Sequence, residues 1–85
     1  MKIRKSKTGE NELQRYGFFC PGCNCSHSFN DSWQFNGDFN NPTISPSILV
    51  TGEKRCHSFV KDGKIKFLSD CDHELKGQTV DLPEL

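Results

Sequence analysis

Apolar and polar residues alternate over short stretches of this chain, and turn residues separate the stretches at short intervals. Residues 13–20 form the first clear stretch, with Tyr16, Phe18 and Cys20 on one face and Phe19 on the other. Short alternating segments between frequent turns are typical of an all-β domain. We therefore expect a small, mostly β fold of antiparallel hairpins with at most one short helical turn.

Two dipeptides predict tight hairpin turns. Asp62-Gly63 separates the two arms of the clearest hairpin, which spans residues 56–69. Asn36-Gly37 predicts a second turn of the same kind, because both dipeptides tolerate the positive φ that two-residue hairpin loops require.

The segments between these hairpins are less regular. Residues 41–47 contain Pro42 and Pro46, which rule out a helix and argue against a position in the centre of a sheet. Residues 70–76 have acids early and a lysine late, and Gly77 follows them. That pattern predicts a single helical turn.

The length of the chain limits how stable its core can be. The 85 residues are enough for one domain, and only 33% of them are hydrophobic. A domain this small buries a modest fraction of its surface, so small folds usually add disulfides, a metal or a partner. We therefore treat residues 1–85 as a single domain that needs such a cross-link.

The cysteines and histidines suggest which cross-link is used. The chain has five cysteines and three histidines, and they fall into three clusters, at residues 20–27, 56–57 and 71–73. An odd number of cysteines cannot all pair within one chain, and the charged start of the sequence does not resemble a signal peptide. We expect a reducing cytoplasmic setting, where such clusters more often bind metal than form disulfides.

Cys20-Pro-Gly-Cys23 is the most specific metal-binding element of the sequence. Its two-residue spacing lets both sulfurs reach one ion, and it follows a predicted strand as in zinc-ribbon or rubredoxin-like domains. A structural zinc site needs four ligands, and we favour Cys56 and His73 for the other two. Cys71 is the first alternate. His57 and His27 come next, because either could orient a ligand or bind another ion.

Other metal chemistries remain open at this point. One structural Zn2+ is favoured over iron, which a four-sulfur site including both Cys56 and Cys71 would suit, because histidine is so available. Two ions are arithmetically possible, but adjacent ligands are hard to use together. A hydrolytic zinc would need a carboxylate base, for which Asp70 and Asp72 are candidates. Cys25 is expected to be a free, partly buried thiol.

Charge and aromatic content bear on possible partners. Eleven basic residues balance eleven acidic ones, which argues against a dedicated phosphate-binding surface. A basic run at residues 2–7 nevertheless keeps nucleic acid as an alternative partner. Trp33, Phe35 and Phe39 are a candidate aromatic binding platform, although such residues more often belong to the core. Nothing in the sequence has the length of a transmembrane helix.

Beyond these patterns, the motifs from Tyr16 onward are similar to those of a family of small phage and prophage proteins. The motifs lie at residues 20–27, 33–38, 42–47, 56–63 and 67–80. Members of that family often carry the automatic label ammonia monooxygenase, which the absence of a membrane span and of a copper-type ligand set does not favour. The resemblance implies a phage origin and a setting in the bacterial cytoplasm. The resemblance implies that serine can stand at the position of Cys71, which favours Cys56 and His73 as ligands.

From size and family context we expect a non-enzymatic protein that binds a host or phage protein. Inhibition of host anti-phage defence is the most specific form of this expectation. A nucleic-acid-binding zinc protein and a metal-dependent hydrolase are the alternatives. The sequence leaves the oligomeric state open.

Overall fold

The protein folds into two antiparallel sheets, as seen in a computed structural model that describes residues 1–6, 9–52 and 55–85. Lys7, which belongs to the predicted basic run, lies outside the described residues. In the described part the strands are β1 (Arg4–Lys5), β2 (Arg15–Cys20), β3 (Cys25–Asn30), β4 (Gln34–Phe35), β5 (Ile44–Val50), β6 (Cys56–Lys61), β7 (Lys64–Phe67) and β8 (Thr79–Asp81).

The first three strands form the smaller sheet, in the order β1-β2-β3. The Cys20–Cys23 turn joins β2 to β3, and Cys20 pairs with Cys25 at the end of the ladder. Strand β3 was not predicted from the sequence, because polar residues occupy its exposed face and only His27 and Phe29 are buried.

The remaining five strands form the larger sheet, in the order β4-β5-β6-β7-β8. The predicted hairpin at Asp62-Gly63 is present as β6 and β7, and both turn residues have positive φ. The two arms alternate between buried and exposed residues, so one face of this sheet packs on the core and the other faces solvent.

Strand β5 is interior to this sheet although it contains Pro46, which contradicts the expectation from its prolines. The physical reason is a bulge. Ile44 pairs with Val60 and Ile48 pairs with Ser58, so three residues of β5 face one residue of β6. A residue inside a bulge is released from the ladder, and proline therefore costs no inter-strand hydrogen bond there.

Two local predictions are wrong. The Asn36-Gly37 turn does not close a two-residue hairpin, because the Asn36 and Asp38 side chains accept hydrogen bonds from the backbone amides of Asp38, Asn40 and Asn41 and hold a longer loop. Residues 70–76 form successive turns instead of a helical turn, and the Gly77 amide then donates to Phe67 O at 3.0 Å.

The core lies between the two sheets and draws on both of them. Phe18 of β2, Ile65 and Phe67 of β7, and Leu82 are almost completely buried. A second group of rings joins the sheets where β4 meets β2, and its members are Tyr16, Phe29, Phe35 and Phe39. In the described part of the chain, no helix is long and apolar enough to span a membrane.

Candidate active site and metal cluster

One side-chain cluster joins the two sheets where β2 ends and β6 begins. Its ligand atoms come from Cys20, Cys23, Cys56 and His73 and all lie within 4.8 Å of one another. Cys20 and Cys23 bound the turn of the smaller sheet, whereas Cys56 begins β6 of the larger sheet and His73 lies in the segment between β7 and β8. This group of four can hold a metal ion, and the ion would connect the two sheets.

The distances inside the cluster fit a tetrahedral ion. Cys20 Sγ lies 3.8 Å from Cys56 Sγ, and Cys56 Sγ lies 3.6 Å from His73 Nε2. With Zn–S distances of about 2.3 Å and Zn–N distances of about 2.1 Å, tetrahedral angles place two sulfurs about 3.8 Å apart and a sulfur and a nitrogen about 3.6 Å apart. The two distances to Cys56 Sγ therefore match those of a tetrahedral zinc site, and all four ligand atoms lie within 4.8 Å of one another.

The backbone of the Cys20–Cys23 turn is adapted to this arrangement. The Cys23 amide points at Cys20 Sγ from 3.4 Å, as expected for a turn that presents amides to thiolates. The His73 ring packs directly over Gly22, where an added Cβ would approach the ring atoms to 2.2–2.6 Å. Only glycine fits beneath the imidazole at that position.

The three thiols of the cluster differ in how easily they ionise. Burial opposes ionisation of Cys20, but the hydrogen bond and charge of the nearby His27 and the Cys23 amide lower the pKa of Cys20 to about 7. Burial, together with the charge of Cys20, raises the pKa of Cys23 to about 11 and that of Cys56 well above its usual range. Without a bound cation, only Cys20 of the three thiols ionises readily. A bound cation would also stabilise the thiolate forms of Cys23 and Cys56.

A second constellation lies on the solvent-facing side of the larger sheet. Ser47 Oγ is 2.8 Å from His57 Nε2, and His57 Nδ1 is 3.2 Å from Asp70 Oδ2. A carboxylate can only accept, so Nδ1 carries the proton and Nε2 accepts from the serine hydroxyl. A hydroxyl, an imidazole and a carboxylate in this order have the geometry of a Ser-His-Asp triad.

The β5 bulge and Trp33 together hold the serine in place. Ser47 lies in the bulged part of β5, where a strand bends and re-aims its side chains. The Trp33 indole N–H donates to the Ser47 carbonyl oxygen at 3.4 Å. Ser47 is thereby presented beside His57, which lies on the adjacent strand β6.

Cys71 fixes the backbone of the histidine. Its buried thiol donates to His57 O at 3.0 Å and accepts from His57 N at 3.1 Å. Cys71 also directly follows Asp70, so one short segment supplies the carboxylate and the contact that holds the imidazole backbone. Cys71 and His57, both alternates for the metal site, have these partners and lie outside the group of four.

The other candidate residues occupy varied positions. His27 is buried beside Cys20 and packs edge-on against Phe18, outside the group of four. Cys25 is a free thiol as expected, but it is exposed because it lies on the outer face of β3. The proposed binding aromatics Trp33, Phe35 and Phe39 are half-buried and pack against the core.

The sequence pattern did not single out Ser47 as a functional residue, and Asp70 was expected only as a candidate base for a hydrolytic zinc. Ser47, His57 and Asp70 are far apart in sequence, and a lone serine carries no local signal. The one available clue was the Pro-Thr-x-Ser-Pro-Ser motif at residues 42–47, which the resemblance included without a role.

Fold and site together define a class: a small antiparallel β protein with a Ser-His-Asp constellation beside a Cys/His cluster. Residues 2–68 match the family model described as bacterial ubiquitination-like system serine protease (BubE), and the chain belongs to that family. The match includes Ser47 and His57 and ends two residues before Asp70. The family match replaces the ammonia monooxygenase label that is often given to the similar phage and prophage proteins. No curated protein and no solved structure matches the chain.

Proposed function

We propose that this protein is a serine protease of a bacterial ubiquitination-like system, with Ser47 as nucleophile, His57 as general base and Asp70 as the group that orients His57. The observation that carries the proposal is the pair of contacts at His57, 2.8 Å to Ser47 Oγ and 3.2 Å to Asp70 Oδ2. The family to which the chain belongs supports it independently.

The proposed chemistry uses these three groups in sequence. His57 Nε2 takes the proton of Ser47 as Oγ attacks the carbonyl carbon of the scissile peptide bond. The imidazolium, stabilised by Asp70, then protonates the amine that leaves as the C–N bond breaks. His57 next takes a proton from water, whose oxygen attacks the acyl-enzyme, and returns a proton to Ser47 as the ester bond breaks.

In this proposal the group of four holds one zinc ion with a structural role. Three sulfurs and one imidazole close a tetrahedral shell and leave no open position for water, which disfavours a metal-dependent hydrolase. Histidine among the ligands favours zinc over iron. Cys56 and His57 are consecutive on β6, so the ion would also fix the strand that carries the base.

The expected non-enzymatic role, binding a host or phage protein and inhibiting defence, is a different proposal, and no contact among the described residues favours it specifically. A bacterial cytoplasm suits both roles, because three thiols must stay reduced to bind metal. Nucleic acid binding would require the basic run at residues 2–7 to act with Trp33, whose indole instead donates to Ser47 O.

The proposal is tested by labelling with a fluorophosphonate probe, which reacts with activated serines. Intact-mass analysis of the wild type should show one adduct, mapped to Ser47 by peptide sequencing. Ser47→Ala should lose the adduct, whereas Ser28→Ala, an exposed serine of the smaller sheet, should keep it. A wild-type protein that is folded, metal-loaded and unlabelled would overturn the proposal.

A further inference from the structure

A groove of about 550 Å³ lies on the solvent-facing side of the larger sheet. It runs across β5, β6 and β7 and reaches Thr79 of β8. Phe59 forms part of its lining and is 41% exposed, so its aromatic ring is accessible from the groove.

The groove adjoins the proposed active site. Phe59 follows His57 by two residues on β6, so both side chains point to the same face of the sheet. Ile48 of β5 pairs with Ser58 of β6. Ser47 and Phe59 are the next residues along these two antiparallel strands, on the same side of that pair. The groove and the proposed active site therefore lie on the same side of the sheet and share the strands β5 and β6.

The charged part of the lining is mainly cationic. Lys61, Lys64 and Lys66 line the groove together with a single carboxylate, Asp62, among the described residues. Lys61 lies directly opposite Lys64 in the β6–β7 ladder, and Lys66 lies opposite Phe59. Like charges at directly opposed positions destabilise a sheet. An acidic ligand bound in the groove would reduce the repulsion between Lys61 and Lys64.

Few of these positive charges are neutralised within the chain. Lys64 has an exposed ion pair with Asp81 at 3.7 Å. Within residues 1–6, 9–52 and 55–85, no carboxylate oxygen lies within 4.0 Å of the Lys61 or Lys66 ammonium group. An apolar floor with a cationic rim is complementary to a ligand that carries an apolar side chain and carboxylates.

We infer that this groove is the substrate subsite, and that it binds an extended peptide segment bearing a large apolar side chain flanked by acidic residues. Phe59 contacts the apolar side chain, and Lys61 and Lys66 contact the acids. The inference rests on the proposed function only in taking the bound segment to be the substrate. The groove itself is defined by residues outside the triad.

The test uses full-length, metal-loaded Ser47→Ala protein, which can bind peptide without cleaving it. Three short probes are titrated while backbone amide shifts are followed by NMR: a phenylalanine flanked by glutamates, the same peptide flanked by lysines, and a glutamate peptide with alanine at the centre. We expect shifts at Phe59, Lys66 and Thr79, with affinity for the first probe at least about tenfold above the others.

Charge reversal provides the matched control. In the Ser47→Ala background, the pair Lys61→Glu and Lys66→Glu should remove the preference for glutamate-flanked peptide, whereas Lys5→Glu on the smaller sheet should not. Equal binding of the three probes, shifts elsewhere, or no shift at millimolar peptide would overturn the inference. Peptide binding in the groove without labelling of Ser47 would refute only the proposed protease activity. Labelling of Ser47 without peptide binding in the groove would refute only the proposed substrate subsite.

Discussion

Cys56 and His57 are neighbours on β6 whose side chains point to opposite faces of the sheet. Cys56 Sγ lies 3.8 Å from Cys20 Sγ in the Cys/His cluster, and His57 Nε2 lies 2.8 Å from Ser47 Oγ. The Cys/His cluster and the proposed triad therefore share one strand. Any change that displaces β6 at the cluster must also displace the imidazole from the serine.

Metal removal should unfold the protein and abolish Ser47 labelling together. Structural zinc sites have apparent binding free energies of about 10–16 kcal/mol, comparable to or larger than the stability of a typical domain, about 5–15 kcal/mol. Chelator treatment, or Cys20→Ser, should therefore abolish the cooperative thermal transition seen by circular dichroism. Cys25→Ser, an exposed thiol outside the cluster, should melt like the wild type. Equal loss in the two variants would contradict the ligand assignment.

Cys71 should act as a positioning residue for His57. Cys71→Ala removes both contacts to the His57 backbone, at 3.0 and 3.1 Å, and should slow fluorophosphonate labelling of Ser47 about 10- to 100-fold. Cys71→Ser keeps a donor and an acceptor and should recover most of the rate. A purely structural thiol would lower the melting temperature in both variants without separating their labelling rates.

Asp70 should contribute less than a buried triad carboxylate does. Asp70 is 44% exposed and His57 is 25% exposed, so solvent screens their interaction. Asp70→Asn should slow labelling of Ser47 by about 10- to 1,000-fold, compared with about 10,000-fold for the buried carboxylate of a well-studied triad. Asp31→Asn, an exposed acid next to β3, is the control. An unchanged rate in Asp70→Asn would remove Asp70 from the triad.

Asp38 makes the stability of the loop between β4 and β5 depend on pH. Hydrogen bonds from the Asn41 and Asn40 amides lower the pKa of Asp38 in the folded protein. A depressed folded pKa adds stability above the unfolded value, about 3.9, and that stability is lost as pH falls through the lower folded value. Asp38→Asn should therefore destabilise the protein at neutral pH and flatten its stability profile below about pH 4. Denaturant melts at several pH values would show parallel profiles if this is incorrect.

Much of the fold follows from local pattern. Alternation predicts β2, β6 and β7, and Asp62-Gly63 predicts the turn between the last two, because side-chain direction and turn geometry are set by neighbours in sequence. The sequence also favoured the group of four. Cys20 and Cys23 have the spacing of metal ligands, and Cys56 and His73 were chosen to complete a four-ligand site.

Other features depend on contacts between distant segments. Pro46 lies in an interior strand because a bulge against β6 releases it from the ladder. Strand β3 was not predicted because the residues on its exposed face are polar and have a weak preference for strands. Pairing with β2 and burial of Phe29 stabilise the strand nonetheless. Asn36-Gly37 did not form a tight hairpin because the Asn36 and Asp38 side chains hold a longer loop.

The sequence by itself determined a small β protein with a soft-ligand cluster, because ligand type and spacing are local properties. Only the tertiary structure decided that Ser47, His57 and Asp70 meet. These residues come from β5, β6 and the turn after β7, and their contacts depend on the register shift and on the Cys71 thiol. The spacing of Ser47, His57 and Asp70 in the sequence does not predict these contacts, because the contacts form only when the larger sheet has assembled.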